Sequence, residues 1–170
     1  MLVLARRGTT RAVVALTTGI VMSWLGDVTL LWFIVGLGCF LLAHVAYLVA
    51  LRTGLQGPTS RLAIGAALVW WIVLLVALWP YLGPLAGPVA VYGAALVAMA
   101  AVATRGGVVV GAGGVAFVLS DTGLAFRTFS PWLKGHGADV VIMGLYVVAQ
   151  GLIVFGMVRR LSAARQPSAS

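Results

Sequence analysis

The chain predicts an all-α fold, a polytopic bundle of about six transmembrane helices with both termini cytoplasmic, and three observations predict it. Hydrophobic residues fill 62% of its 170 positions and charged residues only 8%, against roughly 45–50% and about 25% in an ordinary soluble domain. With three acidic residues in all, Asp27, Asp121 and Asp139, such a chain cannot cover a water-facing surface, so its solvent is lipid. The apolar runs each reach about 20 residues, the length that crosses a bilayer core at about 1.5 Å per residue. The basic residues stand at the ends of those runs. Their excess, 11 against 3 for a net charge of +8, therefore reads as topology. No basic stripe with interleaved aromatics exists, so nucleic acid is not an expected partner.

The first span is expected over residues 12–31 and the second over 33–51, joined by a tight apolar turn. The polar segment TGLQGPTS, residues 53–60, separates them from a third span over 62–79, which Pro80 to Pro84 should break. The fourth span covers 85–103, Arg105-Gly106-Gly107 makes the next turn, the fifth covers 108–126 and the last 140–158. Residues 1–158 thus read as one transmembrane helical domain and 159–170 as a polar cytoplasmic tail. The opening MLVLARRGTTR shows no small-residue cleavage site ahead of Gly26-Asp27, so it reads as a basic anchor and not as a cleaved signal. Cys39, the single cysteine, stands inside an apolar run and reads as a packed small residue.

Alternate loops differ sharply in charge. One side collects Arg6, Arg7, Arg11, Arg52, Arg61, Arg105, Arg159, Arg160 and Arg165, and the other has Arg127 and Lys134. Basic loops stay in the cytoplasm, which puts both termini there and places a multi-pass protein in the cell membrane. Trp32, Trp79, Tyr81 and Trp132 then fall at the outer boundary, where amphipathic rings settle. Gly107 and Gly111 form a GxxxG pair in the fifth span, followed by Gly113 and Gly114, so a neighbouring backbone is expected close to that helix. The same glycines do not make a dinucleotide fingerprint, because no strand precedes them.

An ionisable residue inside a span costs roughly 2.5–3.5 kcal/mol on insertion scales, so each needs a partner, a cavity or a task. Asp27 lies about four residues, or roughly 6 Å, from the outer end of the first span, with Ser23 on the same face. Asp121 lies about five residues, or roughly 7–8 Å, from the outer end of the fifth, between Ser120 and Thr122. His44 and Tyr47 share a face of the second span, Tyr146 and Gln150 a face of the last. Matched depth on four helices predicts one polar pocket in the outer half of the bundle, lined by Asp27, His44, Tyr47, Asp121, Tyr146 and Gln150. For His44, Tyr146 and Gln150 interhelical hydrogen bonding is an alternative to substrate binding. Ser23, Ser120 and Thr122 have the alternative of bonding carbonyls one turn back. Asp139, one residue ahead of the last span, reads as a helix cap or loop residue.

A carboxyl pair is the economical chemistry for this inventory: one acid kept neutral by apolar surroundings donates a proton, while the other, ionised, stabilises a cation or activates water. Metal hydrolysis would want about three oriented ligands. Asp27, His44 and Asp121 carry no paired-ligand motif, so no metal is expected. Ser120 beside Asp121 lacks a nucleophile elbow. Paired intramembrane aspartates also serve proton carriers, so a small proton-coupled transporter and a non-catalytic lipid-binding protein stand as alternatives. Neither inverted repeats nor broken helices, the marks of a carrier, are visible.

Three motifs carry a family resemblance. From Ser23 to Leu51 the chain reads SWLGDVTLLWFIVGLGCFLLAHVAYLVAL, with Ser23, Gly26-Asp27, Leu30, Phe33, Gly36, Phe40, His44 and Tyr47 in the pattern S-x-x-G-D-x-x-L and F-x-x-G-x-x-x-F-x-x-x-H-x-x-Y. AFVLSDTGLAF holds Ser120-Asp121, and LYVVAQGLI holds Tyr146 and Gln150. In this order they resemble the YhhN-type lysoplasmalogenase family of membrane proteins. The resemblance implies hydrolysis of the vinyl ether bond of a lysophospholipid, giving a fatty aldehyde and glycerophosphocholine or glycerophosphoethanolamine, without a metal or redox cofactor. It implies Asp27 and Asp121 as the catalytic pair. His44, Tyr47, Ser120, Tyr146 and Gln150 become substrate-binding candidates. The hydroxyls flanking Asp121 mark it as the ionised partner and leave Asp27 as the acid. The family pattern has about eight spans, two of them ahead of the first acidic motif, so a short form, an upstream start or a homo-oligomer that completes the pocket are the readings for this chain.

Overall fold

A computed structural model describes residues 2–133 and 136–163, with side chains for 8–133 and 137–163. Among these the chain is all-helical, with no strand. Six α-helices follow one another: α1 (Leu2–Thr29), α2 (Phe33–Gly54), α3 (Arg61–Leu82), α4 (Ala86–Ala103), α5 (Gly107–Phe129) and α6 (His136–Ala163). Several are long and apolar enough to cross a membrane, which makes this an integral membrane protein. Single 3-10 turns, Gly83–Leu85 and Thr104–Gly106, link α3 to α4 and α4 to α5. Helix α1 begins well before residue 12, because the apolar pattern hands over to basic residues without any helix breaker. The tail expected from residue 159 is still helix through Ala163. Arg165 and the remainder of that tail, Lys134, and the side chains of Arg6 and Arg7 lie outside the described residues.

Helices α1 and α2 form a tight hairpin. Trp32 N–H donates to the Thr29 carbonyl at 2.8 Å, and three glycines let the two backbones close. A Cβ on Gly19 would stand 2.6 Å from the Tyr47 ring, one on Gly26 2.8 Å from the Phe40 ring, and one on Gly36 3.0 Å from the Leu30 Cα. Thus the glycine of the Gly26-Asp27 motif serves packing while its neighbour supplies a carboxyl.

Helices α5 and α6 pack together, α4 bridges α2, α3 and α5, and α3 stands outermost. Only Leu78 and Leu82 of α3 are buried, so its other faces are left for lipid. This helix runs through Pro80, where a break was expected, and ends at Gly83, whose φ of 49° with ψ of −128° suits glycine alone. A proline three residues from the end removes little of the hydrogen-bond ladder. The close approach expected on α5 is present, although the GxxxG pair does not make it. Gly107 is a turn residue with φ of 73°, and a Cβ on Gly111 would meet only the Thr104 Cα at 3.5 Å. Gly113 and Gly114 carry the contact instead. Their absent Cβ atoms leave room for Ile153 and the Ala149 carbonyl of α6 on one side and for Ala100 and Ala103 of α4 on the other.

Polar contacts sort the two ends. Arg105 Nε donates to Thr59 Oγ1 at 2.8 Å, and Arg160 Nε to the Gly106 carbonyl at 2.8 Å, so three basic segments share one end. At the other, Arg127 pairs with Asp139 through two bonds of 2.9 and 3.3 Å, which sets Asp139 in the first turn of α6 as an electrostatic partner. Trp132 joins Tyr81 and Phe126 there, and Phe33 meets Phe129 edge-on.

Candidate active site

The site is built on α1, α2, α4, α5 and α6. Asp121 is buried on α5. Its Oδ2 accepts a hydrogen bond from the Tyr92 hydroxyl of α4 and lies 3.6 Å from His44 Nε2 of α2. His44 is fully buried. Its Nδ1 stands 2.6 Å from the Phe40 carbonyl, an atom that only accepts, so Nδ1 carries a proton and donates it. Nε2 is left facing the carboxyl of Asp121 with no hydrogen bond closed. Two atoms with lone pairs turned toward one another repel unless a proton resides on one of them.

Asp27 is exposed, two residues before the end of α1, and its Oδ2 accepts from Tyr146 Oη of α6 at 2.9 Å. The two carboxyls differ in exposure. Asp27 is about 3 Å from the end of its helix and Asp121, eight residues before Phe129, about 12 Å from the end of α5. The pair expected from position within the spans is thus an exposed carboxyl and a buried one. Helix α5 continues past residue 126 because Arg127 finds Asp139 and does not end the helix.

The Phe117 ring, fully buried, joins the halves. Its centroid lies 4.8 Å from that of His44, 5.5 Å from Tyr146 and 6.2 Å from Tyr47. Tyr47 Oη donates to Gln150 Oε1 at 2.7 Å, tying α2 to α6. Ser23 is buried beside the Tyr47 and Tyr146 phenols; its hydroxyl closes no hydrogen bond among the described residues.

Of the residues expected in the pocket, His44, Tyr47 and Tyr146 surround Phe117, and Asp121 joins them through His44, Asp27 through Tyr146 and Gln150 through Tyr47. Ser120 does not join them. Its hydroxyl donates across to the Ile142 carbonyl of α6 at 2.8 Å, neither one turn back nor toward Asp121, while Thr122 accepts from Trp70 Nε1 at 3.1 Å. The flanking hydroxyls therefore give no ground for an ionised Asp121, because their side chains leave α5 in other directions. The hydroxyl that bonds Asp121 is that of Tyr92. A lone phenol in the otherwise apolar α4 was its signal, since a phenol in lipid must find a partner.

A cavity of about 50 Å³ opens on the site between α2, α4 and α5. Its walls are apolar, Leu30, Leu37, Phe40, Val89 and Leu124 among them, and Asp121 and Tyr92 face it. Among the described residues no three His, Cys, Asp or Glu side chains converge as a metal site.

Tyr47→Phe tests the bonded pair. It should lower stability by about 1–2 kcal/mol, the cost of leaving the Gln150 amide without its donor. A thermal melt in detergent reads this, and a double-mutant cycle with Gln150→Leu should return the coupling.

Fold and site together define a polytopic integral membrane protein with a buried carboxyl, imidazole and phenol cluster. Residues 1–157 match the model of the YhhN family, and the chain belongs to that family. It is similar to a human protein, lysoplasmalogenase TMEM86B, with 36% identity over 152 residues covering 87% of this chain and 62% of that protein. The chain thus spans less than two thirds of its relative's length. No solved structure matches it.

Proposed function

We propose that this chain is a lysoplasmalogenase-like hydrolase that cleaves the vinyl ether bond of a lysophospholipid, releasing a fatty aldehyde and glycerophosphocholine or glycerophosphoethanolamine. The observation that carries this reading is Asp121, buried at an apolar cavity between Tyr92 and His44. The relative's name supports the substrate class. In this reading the chain crosses the cell membrane six times with both termini cytoplasmic, and Asp27 and Asp121 face the outer half. Residues 1–158 act as one domain.

The chemistry follows from the proton count. With Nδ1 of His44 engaged by Phe40, the His44–Asp121 pair holds one exchangeable proton, and Asp121 presents it to the cavity. Delivery to the β-carbon of the vinyl ether gives an oxocarbenium ion. The exposed carboxylate of Asp27, oriented by Tyr146, stabilises that cation, the division of labour two carboxyls perform on glycosides. Water then adds to the cationic carbon and returns a proton to the His44–Asp121 pair. The hemiacetal passes its hydroxyl proton to the glycerol oxygen as the carbon–oxygen bond breaks, and aldehyde and alcohol leave. One water is consumed and the pair ends as it began. This assignment makes Asp121 the acid and Asp27 the anion, the reverse of the split read from the flanking hydroxyls. In this reading the cavity, about 50 Å³, takes the reacting end of a single chain whose remainder extends into lipid.

Purified full-length chain given vinyl ether lysophospholipid in detergent should release aldehyde, and given the ester analogue should release no fatty acid. No aldehyde, together with potential-driven proton flux abolished by Asp27→Asn, would establish a carrier in place of a hydrolase.

A further inference from the structure

At the end remote from Asp27 and Asp121, a second cavity of about 330 Å³ lies between the start of α5 and the last turns of α6. Val108, Val109 and Phe155 make its apolar walls, and Arg159 and Arg160 stand at its mouth. Gly156 forms the floor, where a Cβ would collide with Val110 at 2.5 Å, so the space is kept by close packing of the two helices. The Arg160 guanidinium is fixed there. Nε donates to the Gly106 carbonyl, and a Cβ on Gly107 would come within 2.8 Å of its terminal nitrogen. One of its five donors is used by that bond, which leaves four. The Arg159 guanidinium sits 5.5 Å over the Phe155 ring.

No aspartate or glutamate side chain among the described residues reaches these arginines. All three acids stand toward the opposite ends of their helices. Asp121 is 14 residues from Gly107, about 21 Å along α5, and Asp139 is 20 residues from Arg159, about 30 Å along α6. Two guanidiniums above an apolar slot at a membrane boundary match a ligand with an anionic phosphate head and a hydrocarbon chain. We propose that this cavity binds an anionic phospholipid of the surrounding leaflet, its phosphate between Arg159 and Arg160 and one acyl chain along Val108, Val109 and Phe155. The site stands independently of the vinyl ether reaction, whose residues lie at the other end.

The test is lipid retention. Full-length protein is purified from mixed micelles of phosphatidylglycerol and phosphatidylcholine, and bound lipid is read by native mass spectrometry. Phosphatidylglycerol should be retained over phosphatidylcholine. Arg159→Gln and Arg160→Gln should each reduce that retention by about tenfold, the scale of one charge-assisted contact. Val109→Trp, which keeps both arginines and fills the slot, should reduce it equally. Arg61→Gln, at the same end but outside the cavity, should leave it unchanged. Equal loss in Arg61→Gln would reveal diffuse surface attraction and overturn the site. So would a lack of preference for phosphatidylglycerol, full retention in Val109→Trp, or equal retention of a fatty acid carboxylate.

Discussion

Asp121→Asn should reduce aldehyde release by about 10²–10⁴-fold, the range that loss of a positioned general acid produces. The substitution keeps size and shape, and the amide still accepts from Tyr92, so the fold should persist in a detergent melt. What is lost is the acidic proton. His44 Nε2, whose partner nitrogen is engaged by Phe40, then faces an amide that delivers no proton to carbon. Asp27→Asn should also slow the reaction, by a different route, since it removes the anion that stabilises the oxocarbenium ion without touching the donor. A substrate analogue whose cation is intrinsically more stable should therefore recover more of the rate in Asp27→Asn than in Asp121→Asn. Equal recovery in both variants would end the division of roles.

The second large effect concerns stability. Gly113→Ala should destabilise the protein by about 1–3 kcal/mol, the range for overpacking a close contact. An added Cβ would stand 2.8 Å from Ile153 Cγ1 and 3.0 Å from both the Ala149 carbonyl oxygen and the Ile153 nitrogen. Two of those three atoms are backbone, which cannot rotate aside, so α5 and α6 must separate. Ser120 crosses to Ile142 on the same interface, and separation would strain that bond as well. Gly111→Ala is the control. Its Cβ would rest in ordinary contact with Thr104, and alanine is the better helix former by about 1 kcal/mol, so its melt should stay level or rise. If both variants melt alike, the α5–α6 contact does not limit stability.

These two predictions mark what could be read before the fold was known. Residence in lipid, six apolar helices and the polar side chains that need partners, Asp27, His44, Tyr47, Asp121, Tyr146 and Gln150, were legible in the chain, because each depends on composition summed over about 20 residues or on a polar side chain that lipid will not tolerate unpaired. The pairings were not legible. Asp121 bonds Tyr92 and not the hydroxyls beside it, Ser120 crosses to α6, and the close approach falls on Gly113 and Gly114 and not on the GxxxG pair. Each depends on how a helix is rotated about its own axis. A soluble helix announces that rotation by an apolar stripe, but a helix apolar on every side carries no such mark. The sequence by itself determined the solvent, the helices and which residues must find partners; only the packing of α2, α4, α5 and α6 decided who those partners are, because rotation about a helix axis is set by contacts that no single apolar segment encodes.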